Sequence, residues 1–370
     1  MSDNPLAALH KRLGATMVEV AGTSVPGKYT AVEEEYSAAR GHAAFFDISH
    51  FAKLRVIGKD SLDLLNRIST NDLAGMTPGM GKQTFLVTEK GKVVDLCTVS
   101  VQQESVRLRA SPTNSGNVKK WIEKFIIAED VKVEDVTDSL SMLFVAGPSA
   151  SLFLKQLCHS SHRTLLDLEK MPTNNFIRTF LGSFEVSLSK ARLAINTGYV
   201  ILVHRDDAES VWNLFLENSR ARGVLPAGLE TFEILRIEAG TPLYPDELNE
   251  NVNPLEVGNL EAISFNKGCY VGQEVVARLQ TYDKVRRRLV GLMAESKLPS
   301  GSKVYAGAQS AAGNESEIGV VTSSVRSPGL GKEIALAYIS MQQVSPGSKY
   351  SVRAGAKNIE AELSTLPFIA

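Results

Sequence analysis

Between Ala52 and Asp138 the chain alternates strand-like and helix-like segments in an order that leaves few ways to fold. AKLRVIG alternates apolar and polar residues, as a half-buried strand does. KDSLDLLNRIS reads as a helix, with Asp60 or Ser61 at its N-cap. GKQTFLVTEKGKVVDLCTVSVQ reads as two strands around a Glu-Lys-Gly-Lys turn, and ESVRLRAS as a third. NSGNVKKWIEKFII is a helix, and VKVEDVTD a closing strand. The order β-α-β-β-β-α-β predicts a sheet with helices on one face, an α+β lobe of split-βαβ type.

Residues 141–220 repeat the theme. SMLFVAGPSASLFLKQLC predicts a strand, a Gly-Pro turn and a helix, followed by the strands FIRTFLG, FEVSLSKA and YVILVHR. DDAESVWNLFLENSRARG predicts a helix with acidic residues in its first turn, where the helix dipole favours them. Ahead of the first lobe, LAALHKRLGA predicts a helix, AGTSVPGKY a turn, and TAVEEEYSAARGHAAFF a second helix in which Thr30 and Glu33 fit a capping box. From about Arg287 the pattern changes to short strands with glycine-rich turns (RRLVGLMA, KVYAG, EIGVVTSS, EIALAYIS, KYSVRA, NIEAELS), a small antiparallel barrel or sandwich. The predicted division is residues 1–140 with a swapped N-terminal segment, 141–285, and 286–370.

The 370 residues carry 40 Lys and Arg against 41 Asp and Glu, a net charge of −1. That balance argues against a nucleic-acid or membrane-surface protein held by bulk charge. The short basic run DKVRRRL, residues 283–289, is a solvated linker or a local anion contact. No apolar run approaches the roughly 20 residues of a membrane span. The N-terminus has no secretory h-region, so a cytoplasmic location is expected. The three cysteines Cys97, Cys158 and Cys269 form neither a disulfide framework nor a Cys-x-x-Cys pair. Cys158, His159 and His162 sit at the end of a helix pattern without zinc-like spacing to other ligands.

Several stretches resemble the glycine-cleavage T-protein (aminomethyltransferase) superfamily, in order along nearly the whole chain: HKRLGATMVEVAG, VPGKYTAVEEEYSAARGHAAFFDISH, LLNRISTND, VAGPSA and LRIEAGTPLYPDELNENVNPLE. The stretch KGCYVGQEVVARLQTYDKVRRRLVGL is more similar to one branch, the YgfZ-type folate-binding proteins, which assist iron–sulfur enzymes. The resemblance implies a ring of two ferredoxin-like (split βαβ) lobes plus a small C-terminal β-barrel, with tetrahydrofolate in the central hole. It implies a folate-binding accessory function in iron–sulfur cluster assembly or repair, with iron–sulfur client proteins as partners. The alternative is an aminomethyltransferase or related folate-dependent one-carbon transferase, partnered by a lipoyl carrier protein.

The same resemblance nominates site residues. Asp95 in GKVVDLCTV matches the first aspartate of the family's Gly-Gly-x-x-Asp-Asp and would lie at the folate nitrogen, with Leu96 in place of the second acid. A solvated edge aspartate is the plain alternative. Arg236 matches the family's folate-site arginine, and Glu233 one turn away offers an ordinary ion pair instead. Asn196 falls where the family carries the glutamate that grips the pterin. An amide there supplies no charge, so the substitutions at 96 and 196 put full aminomethyltransferase chemistry in doubt. Cys269 is expected to act chemically, with Lys267 and Tyr270 beside it at the folate site; a small packed cysteine is the alternative. Lys267 and Arg278 are cations near it in sequence, which would favour a thiolate.

Overall fold

The computed structural model describes residues 4–158, 167–195, 198–306, 316–345 and 347–369. The first lobe is a five-stranded antiparallel sheet in the order Gly81–Val87, Val93–Val101, Ser105–Pro112, Phe51–Ile57 and Lys132–Asp135. The helices Ser61–Arg67 and Ser115–Glu123 cover one face, where Leu54, Val56, Val99, Leu108, Val118 and Ile122 pack. This is the predicted β-α-β-β-β-α-β order. Alternation along the strands turns Lys53, Arg55, Thr98, Ser100, Arg107 and Arg109 to the opposite face.

The second sheet has six strands, in the order Phe176–Leu181, Phe184–Ala191, Gly198–His204, Leu140–Ala146, Ala43–Asp47 and Val224–Ala227. Two of them depart from the predicted elements. The helix begun at Val32 ends at Gly41, and Ala43–Asp47 is a strand rather than its continuation. The five residues of that strand are all buried, between neighbours on both sides, so no amphipathic period betrays it. Val224–Ala227 pairs parallel with it at the sheet edge. The predicted turn around Gly22 is a β-hairpin, Thr16–Val20 against Thr23–Lys28. One face of the six-stranded sheet packs on the helices Ala150–Leu157 and Ala208–Ser219, with Trp212 fully buried against Phe45 and His10.

The third part is a closed antiparallel barrel, Arg287–Ala294, Lys332–Ser340, Glu317–Ser327, Lys303–Ala306, Lys349–Ala354 and Lys357–Ser364, sealed by pairing of the first with the last. The architecture is the expected α+β pair of ferredoxin-like lobes with a C-terminal barrel.

Two caps differ from expectation. Neither Thr30 nor Glu33 forms a capping box; Ala31 is the N-cap and makes no side-chain cap. Glu35, one turn in and fully buried, accepts instead from Tyr29 N–H (2.6 Å) and Thr30 N–H (3.1 Å), and from Gly228 N–H (2.9 Å) and Thr231 Oγ1 (2.7 Å). One carboxylate thus ties the backbone leading into its own helix to the start of the helix Leu229–Glu238. Asp60 stands at the N-cap position of Ser61–Arg67, but its carboxylate accepts from Asp130 N–H at 2.8 Å.

Where the chain passes from the second sheet into the first, Asp47 accepts from His10 Nε2 (2.9 Å), Asn4 Nδ2 (2.9 Å) and Ser49 N–H (2.9 Å). The next histidine, His50, is buried with Nδ1 unpartnered, and burial pushes its pKa down to about 4. In the unfolded chain it takes up a proton near pH 6.5, in the folded chain only near 4. The unfolded state therefore binds more protons in that window, and acidification favours unfolding. Wild-type protein should lose roughly 2–3 kcal/mol between pH 6.5 and 4 relative to His50→Leu, most of the value of the shift. Urea denaturation of both proteins across this range measures it; parallel pH profiles would contradict it.

Candidate functional site

The lobes and the barrel meet in one apolar junction. Phe85, Val87 and Val93 of the first lobe, Ile237 of the helix Leu229–Glu238, Val252 and Leu255 of the connecting segment, Tyr270, and Leu289, Leu336 and Tyr338 of the barrel share a single cluster. Leu96 and Tyr244 are half-buried against it. Of the six residues nominated from sequence, Tyr270 belongs to this cluster, Asp95 and Lys267 bond to backbone beside it, Cys269 is exposed, Arg236 is held in a clamp against the barrel, and Asn196 lies outside the described residues.

Asp95 is fully buried on the strand Val93–Val101. Its carboxylate accepts from Leu96 N–H (2.7 Å), Ser111 Oγ (2.7 Å), Ser111 N–H (3.0 Å) and Asn114 Nδ2 (2.9 Å). Burial raises its pKa above the ordinary carboxylate value, with these four bonds opposing the rise. The solvated-edge alternative is excluded. So is the simple picture of a carboxylate waiting for a ligand, because four chain donors fill its acceptor sites. Ser111 Oγ also accepts from Tyr244 N–H at 3.2 Å, so Asp95 reaches the connecting segment through one hydroxyl. Asn117 Nδ2 donates to Tyr244 Oη at 3.3 Å. Leu96, not Asp95, contributes its side chain to the junction wall.

Lys267 holds the segment 265–272 to the first lobe. Its ammonium donates to the carbonyls of Asn66 (2.6 Å), Ser69 (3.0 Å) and Asn71 (2.6 Å), in the last turn of the helix Ser61–Arg67 and just beyond it. That end carries the negative pole of the helix. Burial pulls the Lys267 pKa down to about 8, with Asp72 opposing. The Tyr270 ring lies 5.4 Å from the ammonium, and burial pushes its phenol up to about 12. Cys269 is a free, exposed thiol, so the packed-cysteine alternative is excluded. Cys97 and Cys158 are buried. Arg278 is mostly exposed and pairs loosely with Glu274 at 3.7 Å. Among the described residues no group of three or more His, Cys, Asp or Glu could hold a metal ion.

Arg236 is almost wholly buried at the end of the helix Leu229–Glu238, where its guanidinium meets the barrel. Nε donates to Glu233 (2.8 Å), Nη1 to Glu247 (3.2 Å) and to the Thr241 carbonyl (3.2 Å), and Nη2 to Ser323 Oγ (3.0 Å); Nη2 also lies 2.7 Å from Glu233. Burial works against the charge, but Glu233 and Glu247 outweigh it and hold the pKa above the usual arginine value. The donors are used inside the chain, which corrects the expectation of a guanidinium offered to folate. The local ion pair is present, but as part of a buried clamp rather than a surface pair.

Glu247 was not singled out by sequence, although it is the centre of that clamp. Fully buried, it accepts from Thr322 Oγ1 (2.6 Å), Ser323 Oγ (2.6 Å), Leu243 N–H (3.1 Å) and Arg236. Ser111, Asn114 and Tyr244 were missed as well. Their polar character was visible, but only the fold brings residues 95, 111, 114 and 244 together.

Comparison with known proteins adds the family. Residues 6–267 match the GCVT N-terminal domain, and residues 287–369 the glycine cleavage T-protein C-terminal barrel domain. The chain is 30% identical to an aminomethyltransferase of Anoxybacillus flavithermus over 98% of its length and 97% of the relative's. It is 30% identical to that of Bacillus subtilis over 98% of each. Its fold superposes on the glycine cleavage system aminomethyltransferase T of Bartonella henselae with a TM-score of 0.85, at 22% identity, covering 99% of this chain and 98% of that one. These relatives overturn the iron–sulfur accessory role expected from the stretch around Cys269 and favour the one-carbon transferase alternative. The branch suggested by that stretch has no support from them.

The clamp yields a stability prediction. Arg236→Met leaves Glu247 buried without its cation and should cost about 3–5 kcal/mol. Arg236→Lys should recover only a minority of the loss, because a single ammonium cannot span partners on three sides. Chemical denaturation measures both; a cost under 1 kcal/mol for the Met variant would contradict the clamp.

Proposed function

Because the chain belongs to the glycine-cleavage T-protein superfamily, we propose that it binds tetrahydrofolate and transfers to it a one-carbon unit carried as an aminomethyl group on a lipoyl carrier protein. The observation that carries this reading is the end-to-end correspondence, both lobes and barrel, with relatives named for aminomethyl transfer. No isolated motif would support as much.

The folate is assigned to the junction bordered by Leu96, Tyr244 and Tyr270. Its aminobenzoyl ring needs apolar and aromatic walls, which these residues and their cluster supply. Transfer breaks the carbon–sulfur bond to the lipoyl arm, whose thiolate takes up a proton, and closing the methylene bridge between two folate nitrogens expels the amine as ammonia, which must also gain a proton as it leaves. Asp95 is a positioning residue in this reading. It fixes Ser111 and Asn114, and Ser111 in turn fixes the backbone at Tyr244. Its raised pKa brings its proton nearer to physiological pH, but any direct exchange with a ligand requires one of its four chain partners to move. Leu96 cannot carry a proton. A family carboxylate is therefore replaced by an apolar contact at the wall.

The test is tetrahydrofolate-dependent discharge of an aminomethyl-loaded lipoyl carrier, followed as methylenetetrahydrofolate. Saturable, folate-dependent product is expected. Asp95→Asn, which turns an amide N–H₂ toward existing donors, should lower kcat at least tenfold, about 1.4 kcal/mol or more of activation barrier, with a smaller change in KM. Absence of folate-dependent discharge would overturn the proposed activity.

A further inference from the structure

The face of the first sheet turned away from its helices is cationic. On successive rungs, Arg55 of the strand Phe51–Ile57 stands directly opposite Arg107 of Ser105–Pro112, and Lys53 opposite Arg109. Like charges directly opposed on a sheet destabilise it. Most of these cations have poor compensation. Lys53 is fully buried and donates only to the carbonyls of Ser49 (2.7 Å) and Phe51 (3.0 Å). Arg109 donates to Thr98 Oγ1 at 2.8 Å. Arg55 comes no nearer than 4.0 Å to Glu134, which Lys132 holds at 2.7 Å. The guanidinium of Arg107, half-buried, makes no hydrogen bond or ion pair among the described residues.

A cavity of about 770 Å³ opens over Arg55 and Arg107, and its other wall is the second sheet. That wall brings a third guanidinium, Arg178, beside Ser187 and Leu202. Burial, then Arg178 and Arg55, push the Arg107 pKa down to about 10, so the charges that weigh on it are cations. The cavity's carboxylates do not answer it: Glu185 is bound to Arg178, Glu134 to Lys132, and Glu104 is exposed at the rim. At the same rim the Gln102 amide nitrogen is buried with no partner. An unpaired arginine between two others faces one space between two lobes, and an orphaned amide donor lies buried at its rim.

We propose that this inter-lobe cavity is an anion site, taking a compact ligand with two or more carboxylate or phosphate groups, held by Arg107 between Arg55 and Arg178. Planar guanidiniums suit both groups through paired N–H donors. The site is distinct from the junction assigned to folate and does not depend on that assignment. Because its arginines come from both lobes, occupancy would draw the two sheets together.

Calorimetry and thermal melts on the full-length protein, with citrate and with pyrophosphate as probes at matched ionic strength, test the assignment. At least one probe should bind saturably below millimolar concentration and raise the Tm beyond what sodium chloride does; which of the two binds more tightly distinguishes carboxylate from phosphate. Arg107→Gln should weaken that probe at least tenfold while leaving the probe-free Tm equal or higher, since it removes a like-charge contact. Arg178→Gln should weaken it too. No saturable binding of either probe, or unchanged affinity in Arg107→Gln, would overturn the proposal. So would loss of tetrahydrofolate binding in Arg107→Gln, which would make the cavity the seat of the folate's glutamyl carboxylates rather than a separate site.

Discussion

One guanidinium ties the parts of this protein together. Arg236 ends a helix that belongs to the second lobe, and it spends its donors on Glu233 of its own helix, Glu247 of the connecting segment and Ser323 of the barrel. Glu247 then gathers two barrel hydroxyls and a backbone N–H. A buried pair of this kind stabilises only if its remaining donors and acceptors are met, and here they are. Glu238, two residues further on, repeats the device: it accepts from Tyr36, Arg40 and Ser327, joining the helix Val32–Gly41 to the barrel. With Glu35, three buried glutamates fix the relative placement of elements far apart in sequence. Apolar contact alone would tolerate sliding between them; directional bonds do not.

That rigidity is what gives the junction a shape. Leu96, Tyr244 and Tyr270 come from the first lobe, the connecting segment and the stretch after it, and two polar devices hold them. Asp95 and Ser111 fix Tyr244. Lys267 fixes the segment carrying Tyr270 by three carbonyl bonds. The proposed folate site is therefore walled by apolar groups whose positions are set by polar groups behind them. The opposite arrangement holds in the cavity between the sheets, where cations face the open space directly.

The architecture was legible because periodicity survives in amphipathic elements. The first-lobe strands and the six barrel strands follow their patterns. Ala43–Asp47 did not, since a strand buried on both faces has no alternation to show, and it joined the preceding helix pattern through its alanines. At the site, residue type pointed to chemistry but not to direction. Asp95 and Arg236 were recognisable as unusual, yet both turn to partners within the chain. The arginine-clamping role of Glu247 depends on residues 75 and 76 positions away in the barrel, and no local signal announces that. Cys269 is the reverse case: its motif drew attention to an accessory role that the end-to-end relatives do not share, while its exposure leaves it at the surface.

The central claim is that a reduced folate sits where lobe, connecting segment and barrel converge. Amide hydrogen exchange with and without tetrahydrofolate tests it most directly, because backbone protection reports where a ligand closes a structure. Protection is predicted together at residues 94–97, 243–247 and 265–272. Tight folate binding with protection confined to one lobe, or no protection at any of the three segments, would contradict the account.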